Sequence, residues 1–387
     1  MSNMIASRVK LENSPDIAPK TASSGRILSI DALRGFDMFW IIGGDNIFRG
    51  VVMLFCNPVP EAIDRQLHHP AWGPSVTCWD LIMPLFLFIA GVSMPFSLGK
   101  RAEQGEGYGK LYGRILKRVL LLIVIGMICH DGEAELLRYF DFQHVRIAGN
   151  TLQFIAWAYL ISSVALLHLP KRGQLALIFG FLLGYTLLML YVPIPGYGAP
   201  GLTAQTNLAR YIDGLVLGRL NGFPLAPTVL SGMSLSATML LGAMAGHVLR
   251  LSENPWRKVR YLALAGLGCL ILGWAWSYWF LMVKWIWSSS YALWMAGWSF
   301  LLLAVFSAVI DIWGFRAWAF PFVVIGSNAI LAYALMQVYG DTMGLRLVSG
   351  IASHAGVAGD LVRALGVFGV LWIVLWYLHR KRTFLRV

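Results

Sequence analysis

This chain carries little charge. Only 13% of its 387 residues are Asp, Glu, Lys or Arg, and 19 acidic side chains face 31 basic ones. Cysteine is scarcer still. Cys56, Cys78, Cys129 and Cys269 form no CxxC pair and no metal-ligand spacing, so no metal module is expected. There is no Walker-type phosphate loop, no GxGxxG after a strand and no HExxH helix. Those absences exclude the common nucleotide-loop, dinucleotide-fold and zinc-hydrolase classes. The first 27 residues are polar and hold no apolar core, so no signal peptide is expected ahead of the first span.

Apolar surface fills the space that charge leaves. Hydrophobic residues make up 58% of the chain and the mean hydropathy is +0.65. A soluble core cannot hide that much, whereas a bilayer accepts apolar helices of roughly 20 residues. The fold class is therefore all-α, a polytopic integral membrane helical bundle. Ten transmembrane helices are expected, near 28–48, 78–99, 113–130, 149–169, 173–192, 228–250, 259–282, 289–310, 317–339 and 361–380. Prolines and glycines over 193–227 predict turns, and 341–359 is too polar to predict a span. Residues 1–27 form an amino-terminal tail, 28–380 the membrane domain and 381–387 a basic tail.

The formal net charge is +12, but the basic residues lie in short clusters between apolar runs. No aromatic-interleaved basic face offers itself to nucleic acid. Lys100, Arg101, Lys110, Arg114, Lys117 and Arg118, then Lys171 and Arg172, then Arg250, Arg257, Lys258 and Arg260 occupy alternate loops. The positive-inside rule places these loops and both termini in the cytoplasm. The connection with Asp131, Glu133, Glu135 and Asp141 falls on the other side. Cys56, Cys78 and Cys129 fall near that outer face, where a disulfide between two of them competes with free thiols packed among helices. No strong internal repeat is visible.

Ionisable groups inside membrane helices face a partner or a cavity. Asp31, Arg34 and Asp37 are spaced i,i+3 and predict an ion-pair ladder. Asp45 lies about 21 Å beyond Asp31 at 1.5 Å per residue, towards the outer end, and faces a polar cavity with Asn46. The stretch from His68 to Ser93 joins a polar, aromatic segment to an apolar helix. His68 and His69 are either interfacial residues or a proton-exchanging pair. Asp80 either caps the helix or fixes a histidine. Gln153 and Asn328 either cement helices or touch substrate.

Several blocks resemble the transmembrane heparan-α-glucosaminide N-acetyltransferase family, especially its bacterial NagX-like branch. They are Ser29-Ile30-Asp31-Ala32-Leu33-Arg34-Gly35, His69-Pro70-Ala71-Trp72, and Asp80-Leu81-Ile82-Met83-Pro84 continuing to Gly91. Val145-Arg146-Ile147-Ala148-Gly149 with Leu152-Gln153, Tyr211-Ile212-Asp213 and Gly326-Ser327-Asn328 complete the set. The resemblance runs over about 28–380.

It implies a membrane-embedded enzyme that moves acetyl from cytoplasmic acetyl-CoA, a co-substrate, to the amino group of a glucosamine. It selects His69 over His68 as base or transient acetyl carrier, with Asp80 or Asp45 orienting it. It implies Asn46, Trp72, Gln153 and Asn328 near substrate. Arg34, Arg26, Arg146, Lys117 and Arg118 become the candidates for CoA, no metal is implied, and the partners are membrane lipids, the amino-sugar acceptor and a second copy in a homodimer. The location is a bacterial cytoplasmic (inner) membrane.

The chain departs from the family's pattern around Gly73-Pro74, where the His-to-Asp spacing is one residue longer, and at Asp45, where the animal enzymes place asparagine. The loop from Asp45 to His69 is also longer, and no counterpart of the lysosomal enzyme's lumenal amino-terminal extension is expected. Two other functions fit the same residues. One is an O-acyltransferase for an envelope sugar, and the other is an amino-sugar permease using His69, Asp45 and Asp80 as a proton relay.

Overall fold

A chain inside a bilayer has to satisfy its own backbone hydrogen bonds, and this one does so with helix. The computed structural model describes residues 27–129, 145–198, 200–223 and 225–385, and over 339–347 only their backbone. Among the described residues, strand-like pairing is limited to two isolated bridges, Ala148 with Asn221 and Leu202 with Asn207. Among the described residues, eight helices are long and apolar enough to cross a membrane, or nine if a bent pair counts as one span, where ten were expected. The chain is a multi-pass helical membrane protein.

The first span comprises α1 (Leu28–Phe39), a π-helical turn at Trp40–Gly44 and α2 (Asp45–Phe55). It reaches seven residues beyond the expected end at 48. Gly43 takes a φ of 114° at the turn, a left-handed conformation that glycine adopts without Cβ strain, and a second helix starts behind it at Asp45. The short α3 (Glu61–Gln66) follows Pro60. A 3-10 turn at Cys78–Leu81 opens α4 (Ile82–Met94), which runs through a π turn into α5 (Lys100–Glu103). Pro84 sits within the first turn of α4, where a missing N–H costs nothing.

Then come α6 (Tyr108–Ile128), α7 (Thr151–His168), α8 (Lys171–Tyr191) and α9 (Leu208–Val216). Helix α6 has span length, but Lys110, Arg114, Lys117 and Arg118 load its first half. The remaining helices are α10 (Gly232–Leu249), α11 (Pro255–Ser277), α12 (Ser289–Phe306), α13 (Phe320–Ser327), α14 (Ala329–His354) and α15 (Gly359–Arg380).

Two expectations change here. The helix expected over 317–339 is broken at Asn328 and bends by 70°. Beyond the bend α14 continues to His354, so most of the 341–359 stretch is helical. The connection over 193–227 also holds helix, α9 and a 3-10 turn at Gly218–Leu220.

Packing follows the glycines. A Cβ on Gly91 would lie 1.9 Å from the Met239 carbonyl oxygen, and one on Gly242 would lie 2.0 Å from that of Phe88. Helices α4 and α10 therefore cross backbone to backbone. Gly35 and Gly326 do the same for α1 and α13, with gaps of 1.6 Å to Phe322 and 2.0 Å to Asp31. Without a hydrophobic drive between helices in lipid, such close approach supplies van der Waals contact. Helix α10 lies in the centre, while α11 and α15 turn Leu264, Ile271, Leu272 and Ile373 outward.

The bundle has two distinct ends. Arg250, after α10, bonds Glu103 and the Pro95 carbonyl after α4, and Tyr112 bonds His168 at the end of α7. The basic loops thus share one end. The loop carrying His69, the 193–231 connection and residues 278–288 share the other.

Candidate active site

The site is built where α4 begins. Thr77 is the N-cap: its N–H donates to Asp80 Oδ2 at 3.0 Å, and its hydroxyl is shared between the His68 carbonyl at 3.0 Å and Asp80 Oδ2 at 3.2 Å. This reciprocal capping geometry satisfies helix-terminal donors and leaves Asp80 Oδ1 facing outward. His69 Nδ1 lies 3.1 Å from Oδ1. The Asp80 carbonyl accepts from the buried Tyr291 hydroxyl at 2.8 Å, which ties the turn to α12. Asp80 therefore caps the helix with one oxygen and holds the histidine with the other, so its two expected roles coexist. Its side chain is fully covered, whereas that of His69 is 42% exposed.

A third side chain joins them. Lys284 lies in the 278–288 connection, with Nζ 3.0 Å from Asp80 Oδ1 and 3.1 Å from His69 Nε2, and it also contacts Nδ1. Burial draws its ammonium below the ordinary lysine value, and the Asp80 carboxylate opposes that shift. Sequence reasoning misses Lys284. Its signal is a single charge inside the apolar, aromatic run from Trp279 to Trp287. Thr77 is missed as well, although Thr77-Cys78-Trp79-Asp80 before an apolar run is a capping signature.

His69 and Lys284 open onto a cavity of about 180 Å³ walled by Met83, Phe154, Phe223, Leu235, Trp285 and Trp287, among others. Trp285 meets the His69 ring edge-on with centroids 6.0 Å apart, and Trp79 lies at 6.2 Å. Gly149 forms another part of the wall. Its φ is 102°, and a Cβ there would lie 2.5 Å from the Phe223 N–H nitrogen. The segment before α7 and the loop after the 3-10 turn thus meet over the cavity, held by Asp213. That carboxylate accepts from Asn221 Nδ2 and from the N–H groups of Thr228 and Val229, at 2.7 to 2.8 Å. Burial raises the Asp213 carboxyl, and its three donors pull the other way.

The other residues singled out in the sequence are dispersed. His68 turns away, its Nδ1 2.8 Å from the Asp64 carbonyl. Trp72 donates to the Leu202 carbonyl at 2.9 Å and pins the 193–207 loop. Gln153, fully buried, accepts from the Asn150 N–H and donates to the Arg146 carbonyl, which shapes the turn under Gly149. Arg146 is therefore at the His69 end and apart from Arg34 and Arg118. Asp45 is not a partner of His69 or Asp80. Arg49, one turn on, pairs with Asp64 at 2.9 Å. Asn46 lines a separate cavity of about 450 Å³ with Arg49, Asp360 and Arg363.

The ladder in α1 is half formed. Arg34 pairs with Asp31 at 3.3 Å, but the buried Asp37 carboxylate has no hydrogen-bond partner, which corrects the expected Arg34–Asp37 rung.

At the basic end, Arg34, Ser93, Ser97, Arg118, Phe384 and Leu385 line a cavity of about 260 Å³. Arg34 donates to Ser93 at 2.7 Å, and Arg118 lies over Tyr159 with its buried Nε unpartnered. Asn328 flanks this cavity. Its Nδ2 donates to the Thr383 carbonyl at 3.1 Å and its Oδ1 accepts from the Leu385 N–H at 2.9 Å, clasping the chain after α15. Lys117 is exposed on α6. Arg26, Asp131, Glu133, Glu135, Asp141 and Arg386 lie outside the described residues. All four cysteines are free thiols. Among the described residues, no three His, Cys, Asp or Glu side chains gather as a metal site.

The family described as heparan-alpha-glucosaminide N-acetyltransferase, catalytic, matches residues 26–249, which hold His69, Thr77 and Asp80. The human protein named heparan-alpha-glucosaminide N-acetyltransferase is 26% identical over 96% of this chain. The mouse protein of the same name is 24% identical over 97% of it. The chain spans 62% and 63% of the lengths of these two relatives.

Proposed function

The chain belongs to the heparan-alpha-glucosaminide N-acetyltransferase catalytic family, and from that membership we propose that it is a membrane-embedded acetyltransferase that moves acetyl from acetyl-CoA to the amino group of glucosamine or a related amino sugar. The observation that carries the proposal is the His69–Asp80 pair at the mouth of an aromatic-walled pocket. An amine attacks a thioester only once it can shed a proton, and a neutral imidazole takes that proton near pH 7. The amine nitrogen bonds to the acetyl carbon as His69 accepts its proton. The carbon–sulfur bond then breaks, and the imidazolium returns the proton to the departing CoA sulfur.

The two cavities support delivery from the opposite side. Met83 in the outer cavity and Ser97 in the inner one lie on one continuous helical run, about 21 Å apart at 1.5 Å per residue. The outer cavity reaches Met83 and the inner one Phe86, less than a turn apart. Arg34 and Arg118 suit the phosphates of CoA, since guanidinium binds phosphate with paired hydrogen bonds. The basic end faces the cytoplasm of a bacterial cell and the His69 end the far side of its inner membrane, supported by the basic loops.

Purified protein given acetyl-CoA and glucosamine releases free CoA and forms an acetylated sugar. His69→Ala lowers the rate by at least about a hundredfold, the usual contribution of a general base, while His68→Ala leaves it within twofold. Sugar uptake into liposomes without thioester cleavage would overturn the proposal.

A further inference from the structure

Asp80 offers one free oxygen to two side chains that can each carry a positive charge. Its Oδ2 is satisfied by the neutral donors of Thr77. Its Oδ1 lies 3.1 Å from His69 Nδ1 and 3.0 Å from Lys284 Nζ. A carboxylate with no exposure needs a counter-ion, and it needs only one. Both candidates cannot be charged at such separation without repelling each other. An unperturbed lysine holds its proton to about pH 10.4 and a histidine only to about 6.5. Burial lowers the lysine value here, but the Asp80 charge that opposes the shift acts on the same nitrogen.

The charged groups on the surrounding elements are otherwise engaged. His68 and Asp64 face each other, Asp213 holds its own loop, and the Arg146 guanidinium donates to the Val145 carbonyl. Tyr291 reaches Asp80 only at its carbonyl. Among the described residues, Asp80 and Lys284 are the charged groups bonded to the His69 ring.

We propose that Lys284 is a positioning residue that serves as the standing counter-ion of Asp80 and thereby keeps the His69 imidazole uncharged. Asp80 alone would otherwise recruit His69 as its cation, and an imidazolium is no base. The ammonium therefore settles which of two neighbouring groups carries the charge. Its use in turnover rests on the acetyl-transfer reading; its effect on the histidine does not.

That separation defines the experiment. The full chain in detergent, in a His68→Gln background, is treated with diethyl pyrocarbonate, which modifies an imidazole only in its uncharged form. Modification of the His69 peptide is followed by mass spectrometry across pH. Lys284→Met moves the midpoint up by about one to two pH units, the size of shift that an opposite charge imposes, and Lys284→Arg restores it to within a few tenths. The acid limb of acetyl transfer moves by the same amount.

A second comparison holds even if Lys284→Met does not fold. Asp80→Asn leaves the ammonium uncompensated and lowers the midpoint. Asp80→Asn with Lys284→Met removes both charges and raises it again by at least about one unit. The proposal fails if the midpoint is unmoved in Lys284→Met, if Lys284→Arg shifts as far as Lys284→Met, or if the double variant titrates like Asp80→Asn. None of these outcomes depends on acetyl transfer. A chain that transfers no acetyl in any form would refute the enzymatic reading and leave the titration result standing.

Discussion

Thr77 has no group that can exchange a proton near neutral pH, yet it decides how Asp80 is presented. Its hydroxyl and N–H hold Oδ2, so Oδ1 is turned to His69. Thr77→Val keeps the N–H and the shape and removes the hydroxyl proton shared by Asp80 and the His68 carbonyl, a hydrogen bond worth about 1 kcal/mol. The expected outcome is a fall in kcat of about fivefold with KM unchanged, because the lost contact orients the base rather than the substrate. A KM increase alone would show that Thr77 faces the acceptor instead. At this scale the sequence is partly legible. His69 is set apart from His68, and joined to Asp80, only through the resemblance of their blocks to the family's pattern; the residues alone leave the two histidines equivalent. Lys284 cannot be attached to them, since 215 residues separate it from His69 and only the bundle brings them together. Gln153 and Asn328 are legible as intramembrane amides, but their partners are backbone groups that no spacing rule identifies.

Helix crossings are set by atoms that are missing. Gly242 meets the Phe88 carbonyl so closely that even one methyl must push α4 away from α10, and α4 carries Asp80 at its head. Gly242→Ala should lose about 1–3 kcal/mol, the usual cost of overpacking, seen as a lower Tm in detergent. Gly268→Ala on α11, where nothing lies within 4 Å, should leave Tm unchanged or raise it slightly. Equal losses at both sites would show that helix propensity, not the crossing, governs the effect. Apolar runs reveal where most helices lie. They do not reveal the bend at Asn328 or the π turn at Trp40–Gly44, because both sit inside continuous hydrophobic stretches where hydropathy carries no directional signal.

For the whole molecule, the separation of ends gives a direct test of orientation. Cys78 is exposed beside Asp80, while Gly105 lies in the basic loop before α6. A membrane-impermeant maleimide should label Cys78 in intact cells carrying it as the sole cysteine. Gly105→Cys should react only in inverted vesicles. The reverse pattern would place the His69 cavity and the arginine-lined cavity on the sides of the membrane opposite to those proposed. The multi-pass class is plain from composition alone, since 58% hydrophobic residues leave no soluble alternative. The pairing of two cavities along α4 is not, because a cavity belongs to several helices at once and no single stretch encodes it.

The clasp of Asn328 on Thr383 and Leu385 bears on how the protein is handled in the laboratory. Phe384 and Leu385 form part of the wall of the arginine-lined cavity. An affinity tag fused behind them would start at the rim through which, on the proposed mechanism, acetyl-CoA passes. Its bulk and charge would then enter every measured constant for CoA. Tag position is thus a kinetic variable in this protein, and fusions ahead of α1 are the appropriate reference for comparing variants.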